Sequence, residues 1–471
     1  MTISSNIKRI QKTNNLGWSA EVELETQGKQ RAYSDLAAMS QLKAKSKSDT
    51  ENLLEKIVDR RNFFEAYKKV KANKGSHGID GMRVDELLSY LKGNYENLKA
   101  SLLSGTYKPQ AVRRVEIPKP NGTLRLLGIP TVIDRLIQQS INQVLSPIFD
   151  REFSNSSYGF RPRRSAHMAL KQSQKHINEG YKYVVDIDLE KFFDTVNHDI
   201  LMHLIAKKIE DKRVLKLIRK YLNSGIMLEG AVVKSEEGAV QGGPLSPLLS
   251  NILLDELDKE LETRGHRFCR YADDCNIYVK SKRAGERVLK SLTIFLEGKL
   301  KLKVNTEKSA VSSPTKRKFL GYSFYYSKDG IKLRVHDKSY KRLKEKIRKI
   351  TNRNVSMNFN YRIKKLNEII VGWINYFKLA DMKSKLIELD GWIRRRLRAC
   401  VWKTWKKTKT KFNNLIKLGI PRSKSWEYAN TRKGYWRISC SPILNKTITN
   451  QRLINHGFKS LSSQYDRFRL S

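Results

Sequence analysis

Two adjacent aspartates interrupt an apolar, aromatic stretch at residues 268–279, which reads Phe-Cys-Arg-Tyr-Ala-Asp-Asp-Cys-Asn-Ile-Tyr-Val. The flanks, 268–271 and 277–279, carry strand-forming residue types. The spacing predicts a β-hairpin with Asp273 and Asp274 at its turn. Two carboxylates so close repel one another and persist where a cation neutralises them. Alone, an Asp-Asp pair is more often a solvated turn than a site. The rest of the chain decides between the two.

A third acid lies upstream. In Tyr183-Val184-Val185-Asp186-Ile187-Asp188, strand alternation puts Val184, Asp186 and Asp188 on one face and Val185 and Ile187 on the other. A carboxylate at the end of an apolar strand is costly without a partner. Asp188, Asp273 and Asp274 together form a plausible cradle for two Mg²⁺ ions. Two such metals, about 4 Å apart, activate an attacking hydroxyl and stabilise a leaving phosphate oxygen.

Charge supports a polyanionic substrate. Lys and Arg total 93 against 47 Asp and Glu, a formal net charge of +46. Nucleic acid is the first choice of partner and an anionic membrane surface the second. No run of about 18 apolar residues offers a membrane span, and the N-terminus has no signal-peptide core. Four scattered cysteines without a CxxC pair argue against a disulfide framework or a zinc finger. Reduced thiols in a cytoplasmic, bacterial protein are expected. Residues 331–471 hold 36 Lys and Arg against 8 Asp and Glu, and six of the seven tryptophans. Cations interleaved with aromatics suit RNA, although some of these rings must be core.

The length suggests roughly two to four domains. Residues 1–50 are weakly patterned and read as a flexible or partner-dependent extension. Helical spacing covers 84–103, 132–148, 198–224, 246–263 and 283–299, and helices dominate after 337. Asn121-Gly122 predicts a hairpin within 111–130. His198 with Asp199, in Asn-His-Asp, reads as a helix cap and not a hydrolytic pair.

These segments form an ordered set of motifs. They are KGSHGIDG at 74–81, IPKPNGTLRLLGIPTVIDRLIQQ at 117–139, YGFRPRRSAH at 158–167 and VVDIDLEKFFDTVNHD at 184–199. QGGPLSPLLSNILLDELD at 241–258, YADD at 271–274, LKLKVNTEKS at 300–309 and FLGYSF at 319–324 follow, then GWINYFK at 372–378 and ANTRKGYWR at 429–437. The chain resembles a group II intron-encoded reverse transcriptase and maturase over residues 50–471. It is most similar in outline to the compact bacterial class C type, since it lacks the cysteine pairs of an appended endonuclease.

The resemblance implies an α+β right-hand polymerase, with fingers and palm over 51–330, a helical thumb or X domain over 331–400, and a basic, mostly helical C-terminal segment over 401–471. It implies Asp188, Asp273 and Asp274 as catalytic metal ligands, with Asp186 supporting or structural. Phe193 would exclude a ribose 2′-hydroxyl, or pack as core beside Phe192, or both. Arg113, Lys119 and Arg125 would meet the dNTP triphosphate, unless they are merely surface cations. Gln241 would grip nucleotide or template; Val240 stands where relatives commonly have proline. Lys308 would face the departing pyrophosphate. Lys74, Arg161, Arg394, Arg395, Arg396, Arg398, Arg432 and Lys433 would contact RNA or DNA. The implied partners are a parent intron RNA, an RNA template, a DNA primer or target, and dNTPs. The alternatives are a reverse transcriptase of another bacterial system, repair-type, retron, diversity-generating or CRISPR-linked, and a splicing cofactor with a dead palm.

Overall fold

The computed structural model describes residues 50–470, apart from 119–121, 123, 229–230, 234–237 and 239–241. The fold is α+β, with small sheets, largely antiparallel, and a helical C-terminal region. In chain order the strands are β1 (Val112–Pro118), β2 (Leu124–Ile129), β3 (Tyr183–Ile187), β4 (Ile226–Leu228), β5 (Ala231–Val233), β6 (Arg267–Tyr271), β7 (Asp274–Val279), β8 (Ala310–Ser312), β9 (Tyr322–Ser327) and β10 (Gly330–Val335). The chain forms two compact units, each discontinuous in sequence.

Of the described residues, the first unit comprises those within 50–154, 189–259 and 294–303. Its sheet has the order β2-β1-β4-β5. The hairpin signal at Asn121-Gly122 is answered by antiparallel β1 and β2, with Val115 opposite Leu127. Helix Val132–Asp150 starts where Thr131 accepts a hydrogen bond from the Asp134 amide. Leu136, Ile137, Ile141, Leu145 and Phe149 on this helix are buried. The helix expected over 198–224 is two, His198–Ala206 and Lys212–Leu222. Asp211 makes the break, because its carboxylate accepts from the Arg213 and Leu54 amides and so starts a new helix. Asn197 caps the first of the pair, and His198 is buried with Nε2 2.7 Å from the Gly238 carbonyl oxygen.

The second unit comprises residues 155–188, 260–293 and 304–471. Its sheet has the order β6-β7-β3-β8, and β9 pairs with β10 in a separate hairpin. One apolar cluster joins Val184 and Tyr278 of the four-stranded sheet to Ile370, Leu389 and Ile393 of the long helices and Tyr465 near the C-terminus. Each buried Leu or Ile in it contributes about 2 kcal/mol. The sheet and the helical region therefore share a core that runs past both expected boundaries. Position 330 lies inside the β9–β10 hairpin, and position 400 lies inside helix Lys383–Thr404. A change in charge density marks a change in surface, and not a break in the core. Trp402 belongs to that core, whereas Trp426 and Trp436 are 60% and 39% exposed. All four cysteines are free thiols. Among the described residues no helix is long and apolar enough to cross a membrane.

Candidate active site

β6 and β7 form the predicted hairpin, closing with Tyr271 opposite Asp274. Ala272 takes up the left-handed backbone region at φ 57° to make so short a turn. Two neighbours hold it. The fully buried Arg270 donates from Nη1 to the Ala272 carbonyl at 3.0 Å. Gly159 passes so close that a Cβ there would lie 2.2 Å from the Ala272 nitrogen. The Tyr158 amide donates to the Arg270 carbonyl at 2.8 Å, so the segment carrying Gly159 is fixed along β6. The glycine of YGFRP is thus a steric requirement of the aspartate turn.

β7 also pairs with β3, with Asp186 opposite Asn276 and Ile187 opposite Cys275. One step further, this antiparallel register brings Asp188 opposite Asp274. The predicted alternation holds: Val185 and Ile187 are buried, while Asp186 and Asp188 are half-buried. The Ser309 hydroxyl accepts from the Asp188 amide at 3.0 Å, and the Asp188 carbonyl accepts from the Asn305 amide at 2.9 Å. The backbone at the third acid is therefore held independently of its carboxylate.

The carboxylates perturb one another. Asp274 meets solvent, yet protein closes around its side chain and pushes its carboxyl up to about 6, helped by the negative charges of Asp273, Asp186 and Asp188. Burial likewise pushes Asp186 up to about 6, against the pull of Arg317. Asp188 Oδ2 lies 3.2 Å from Lys308 Nζ, and Asp186 Oδ2 lies 3.4 Å from Arg317 Nε. Among the described residues, no three acids, histidines or cysteines are gathered at metal-ligating distances. The backbone register of the expected cradle is present, with the Asp188 carboxylate turned onto a lysine. The donors are hard carboxylate oxygens, the kind that fit a divalent cation such as Mg²⁺.

Other predicted positions divide into those presented to solvent and those already engaged. Phe193 is half-buried, edge-on to Phe192 with ring centroids 5.1 Å apart. Arg113 donates to the Ser76 hydroxyl and the His77 carbonyl, so it anchors the 74–81 loop. Lys74 is exposed on that loop, with φ 47°. Arg125 lies opposite Ile117 in the β1–β2 register. Lys119 and Gln241, with Val240, lie outside the described residues.

Arg161 was expected on a nucleic-acid surface but is buried, donating to the Ser157 carbonyl at 3.1 Å. The arginines of the 394–398 run are half-buried, and three of them are bonded within the unit. Arg395 donates to the Trp436 carbonyl, with its guanidinium 3.9 Å from that ring's centroid. Arg396 donates to the Thr351 hydroxyl and to the Arg348 and Thr351 carbonyls. Arg398 donates to the Ile448 carbonyl and Asn450. Arg394 makes no such bond among the described residues, and Arg432 and Lys433 are exposed. Arg317 and Gly159 were missed as site residues. The Arg in Lys316-Arg317-Lys318 gave no signal among its neighbours, whereas Gly159 stood in a quoted motif without a stated reason.

Acids at the adjoining ends of two antiparallel strands, beside a tight turn bearing another, form the palm of a nucleotidyl-transferring polymerase. Residues 117–324 match the family model described as reverse transcriptase (RNA-dependent DNA polymerase), and residues 340–419 match the group II intron maturase-specific domain. Protein YkfC of Escherichia coli (strain K12) is 34% identical over 55% of this chain and 79% of its own length. Group II intron-encoded protein LtrA of Lactococcus lactis subsp. cremoris is 31% identical over 57% of this chain and 55% of its own. The putative COX1/OXI3 intron 2 protein of Saccharomyces cerevisiae is 32% identical over 49% and 27%. The chain thus spans about half the length of LtrA and less of the yeast protein. It belongs to the reverse transcriptases that carry a group II intron maturase domain.

Proposed function

We propose that the chain, in the bacterial cytoplasm, copies RNA into DNA by nucleotidyl transfer at Asp188, Asp273 and Asp274, and binds a group II intron RNA to promote its splicing and mobility. The observation that carries the first half is the β3–β7 register, which sets Asp188 opposite Asp274. Two Mg²⁺ ions bound by these carboxylates would supply an activated primer hydroxyl and neutralise charge on the leaving phosphate. Phe193, five residues beyond Asp188 and braced by Phe192, is the residue proposed to favour a deoxyribose. Lys308, whose ammonium already stands at the acid corner, is proposed to meet the charge of the departing pyrophosphate. Arg432, Lys433 and the exposed rings of Trp426 and Trp436 would neutralise phosphates and stack bases.

Primer extension on an RNA template with dNTPs tests the polymerase. Replacing Asp273 and Asp274 together with Ala is expected to abolish synthesis; undiminished synthesis would remove the acids from the mechanism. For the maturase, adding protein to the parent intron at low Mg²⁺ is expected to speed splicing. If splicing speeds up while no DNA is made, the chain is a splicing cofactor only.

A further inference from the structure

Arg317 contacts two different parts of the acid corner. Its Nε stands 3.4 Å from Asp186 Oδ2 on β3, and its Nη2 donates to the backbone carbonyl of Lys308 at 3.0 Å. Lys308 in turn places Nζ 3.2 Å from Asp188 Oδ2. One chain of contacts, Asp186–Arg317–Lys308–Asp188, thus begins and ends on the same strand face. Arg317 is itself set by its backbone, since its amide donates to the Pro314 carbonyl at the end of a single turn. Asp186, Asp188 and Asp273 all act electrostatically on Asp274 here. Two of the four have a cation of the protein's own beside them.

The contacts within this chain are unequal. Lys308 is an exposed, flexible side chain, 64% accessible, which would lose much rotamer freedom by holding one position unaided. Arg317 is 26% accessible and planar; its Nη2 donates to the Lys308 carbonyl, while its Nε stands in ion-pair range of the Asp186 carboxylate without a hydrogen bond to it. It fixes the backbone from which Lys308 reaches and leaves the ammonium free to swing.

We propose that Arg317 is a positioning residue that holds the Lys308 ammonium on Asp188 as a placeholder, which a divalent cation displaces on binding. This rests on the reading of Asp188, Asp273 and Asp274 as the metal site. The displaced ammonium stays on the same anchored backbone, beside the corner where pyrophosphate would form. A cation binding Asp188 must therefore compete with Lys308, and the competition weakens with anything that loosens Lys308.

Mn²⁺ binding to the full chain, read by electron paramagnetic resonance without substrate, tests this. Lys308→Met is expected to tighten Mn²⁺ binding about two- to fivefold, the worth of a solvent-accessible ion pair. Arg317→Lys keeps the charge near Asp186 but cannot span both partners, and is expected to tighten binding in the same direction. In the Lys308→Met background, Arg317→Lys should then add nothing. An Arg317→Lys effect of equal size in both backgrounds would show that it acts on the metal directly, and would overturn the positioning role. Unchanged affinity in Lys308→Met would overturn the placeholder, even if the Arg317 variant fails to fold. Asp273→Asn with Asp274→Asn is the control for the reading beneath. If that variant binds Mn²⁺ as the wild type does, the metal-site assignment fails, and not the link between Arg317 and Lys308.

Discussion

The acid corner and the arginine run at 394–398 are both dense clusters of one charge, and the fold treats them oppositely. At the corner, Asp273 and Asp274 remain on the solvent side of a turn whose backbone is held by Arg270 and Gly159. Burial, helped by the neighbouring negative charges, holds the Asp274 carboxyl well above its ordinary value, a cost that a bound ligand would offset. In the run, three of four guanidiniums are occupied by carbonyls and hydroxyls of the same unit. Those arginines act as multivalent donors that tie a long helix to the segments around it. Dense charge in the sequence thus hides two different local arrangements, one of acids left facing solvent and one of guanidiniums bonded within their own unit.

The largest test of that contrast is Asp188→Asn. It preserves shape and removes one charge from the corner. Primer extension is expected to fall by about 10³-fold or more, while the thermal midpoint holds or rises because a repulsion has gone. A fall in both would make Asp188 structural, like the arginines. Arg396→Ala is the converse. It removes the guanidinium donors that the Thr351 hydroxyl and two carbonyls accept from, and urea unfolding is expected to show a loss of about 1–3 kcal/mol. RNA affinity measured well below the midpoint should be little changed. Arg432→Ala with Lys433→Ala should do the reverse, with unchanged stability and a slope of log affinity against log salt shallower by about one to two. A stability loss there, or a changed salt slope in Arg396→Ala, would break the division between the two kinds of cation.

Much of the corner was legible in sequence because its parts are local. Alternation in β3 places Asp186 and Asp188 on one face from five residues alone, and the flanks of Asp273-Asp274 name the hairpin. The register between β3 and β7 was not legible, since it joins residues about ninety positions apart through pairings no single segment specifies. Arg317 was missed for the same reason: its importance lies in reaching Asp186 and Lys308 at once. The bonding of the arginine run was not legible either, because its acceptors sit at 348, 351, 436, 448 and 450, and nothing in the run says whether a guanidinium faces water or a carbonyl. The boundaries expected at 330 and 400 rest on charge, a surface property, whereas the core of the second unit runs through both positions.

The smallest expected effect concerns proton and cation competition at the corner. The carboxyls of Asp274 and Asp186 lie near 6, above their ordinary 3.8. An acid with its folded pKa raised binds protons more readily when folded, so its contribution favours the native state at low pH and is lost as pH rises through about 6. Between about pH 4 and 7 these two groups should therefore lower the thermal midpoint as pH increases, against whatever other groups contribute. A divalent cation takes the place of the lost protons. Its stabilisation, about 2–4 °C for roughly 1 kcal/mol of linked binding, should be evident at pH 7.5 and mostly absent at pH 5. Asp273→Asn with Asp274→Asn should erase the difference between the two pH values. Cation stabilisation of the same size at both would locate the bound ion away from the carboxylates, and the contrast between the acid corner and the arginine run would then lose its functional half.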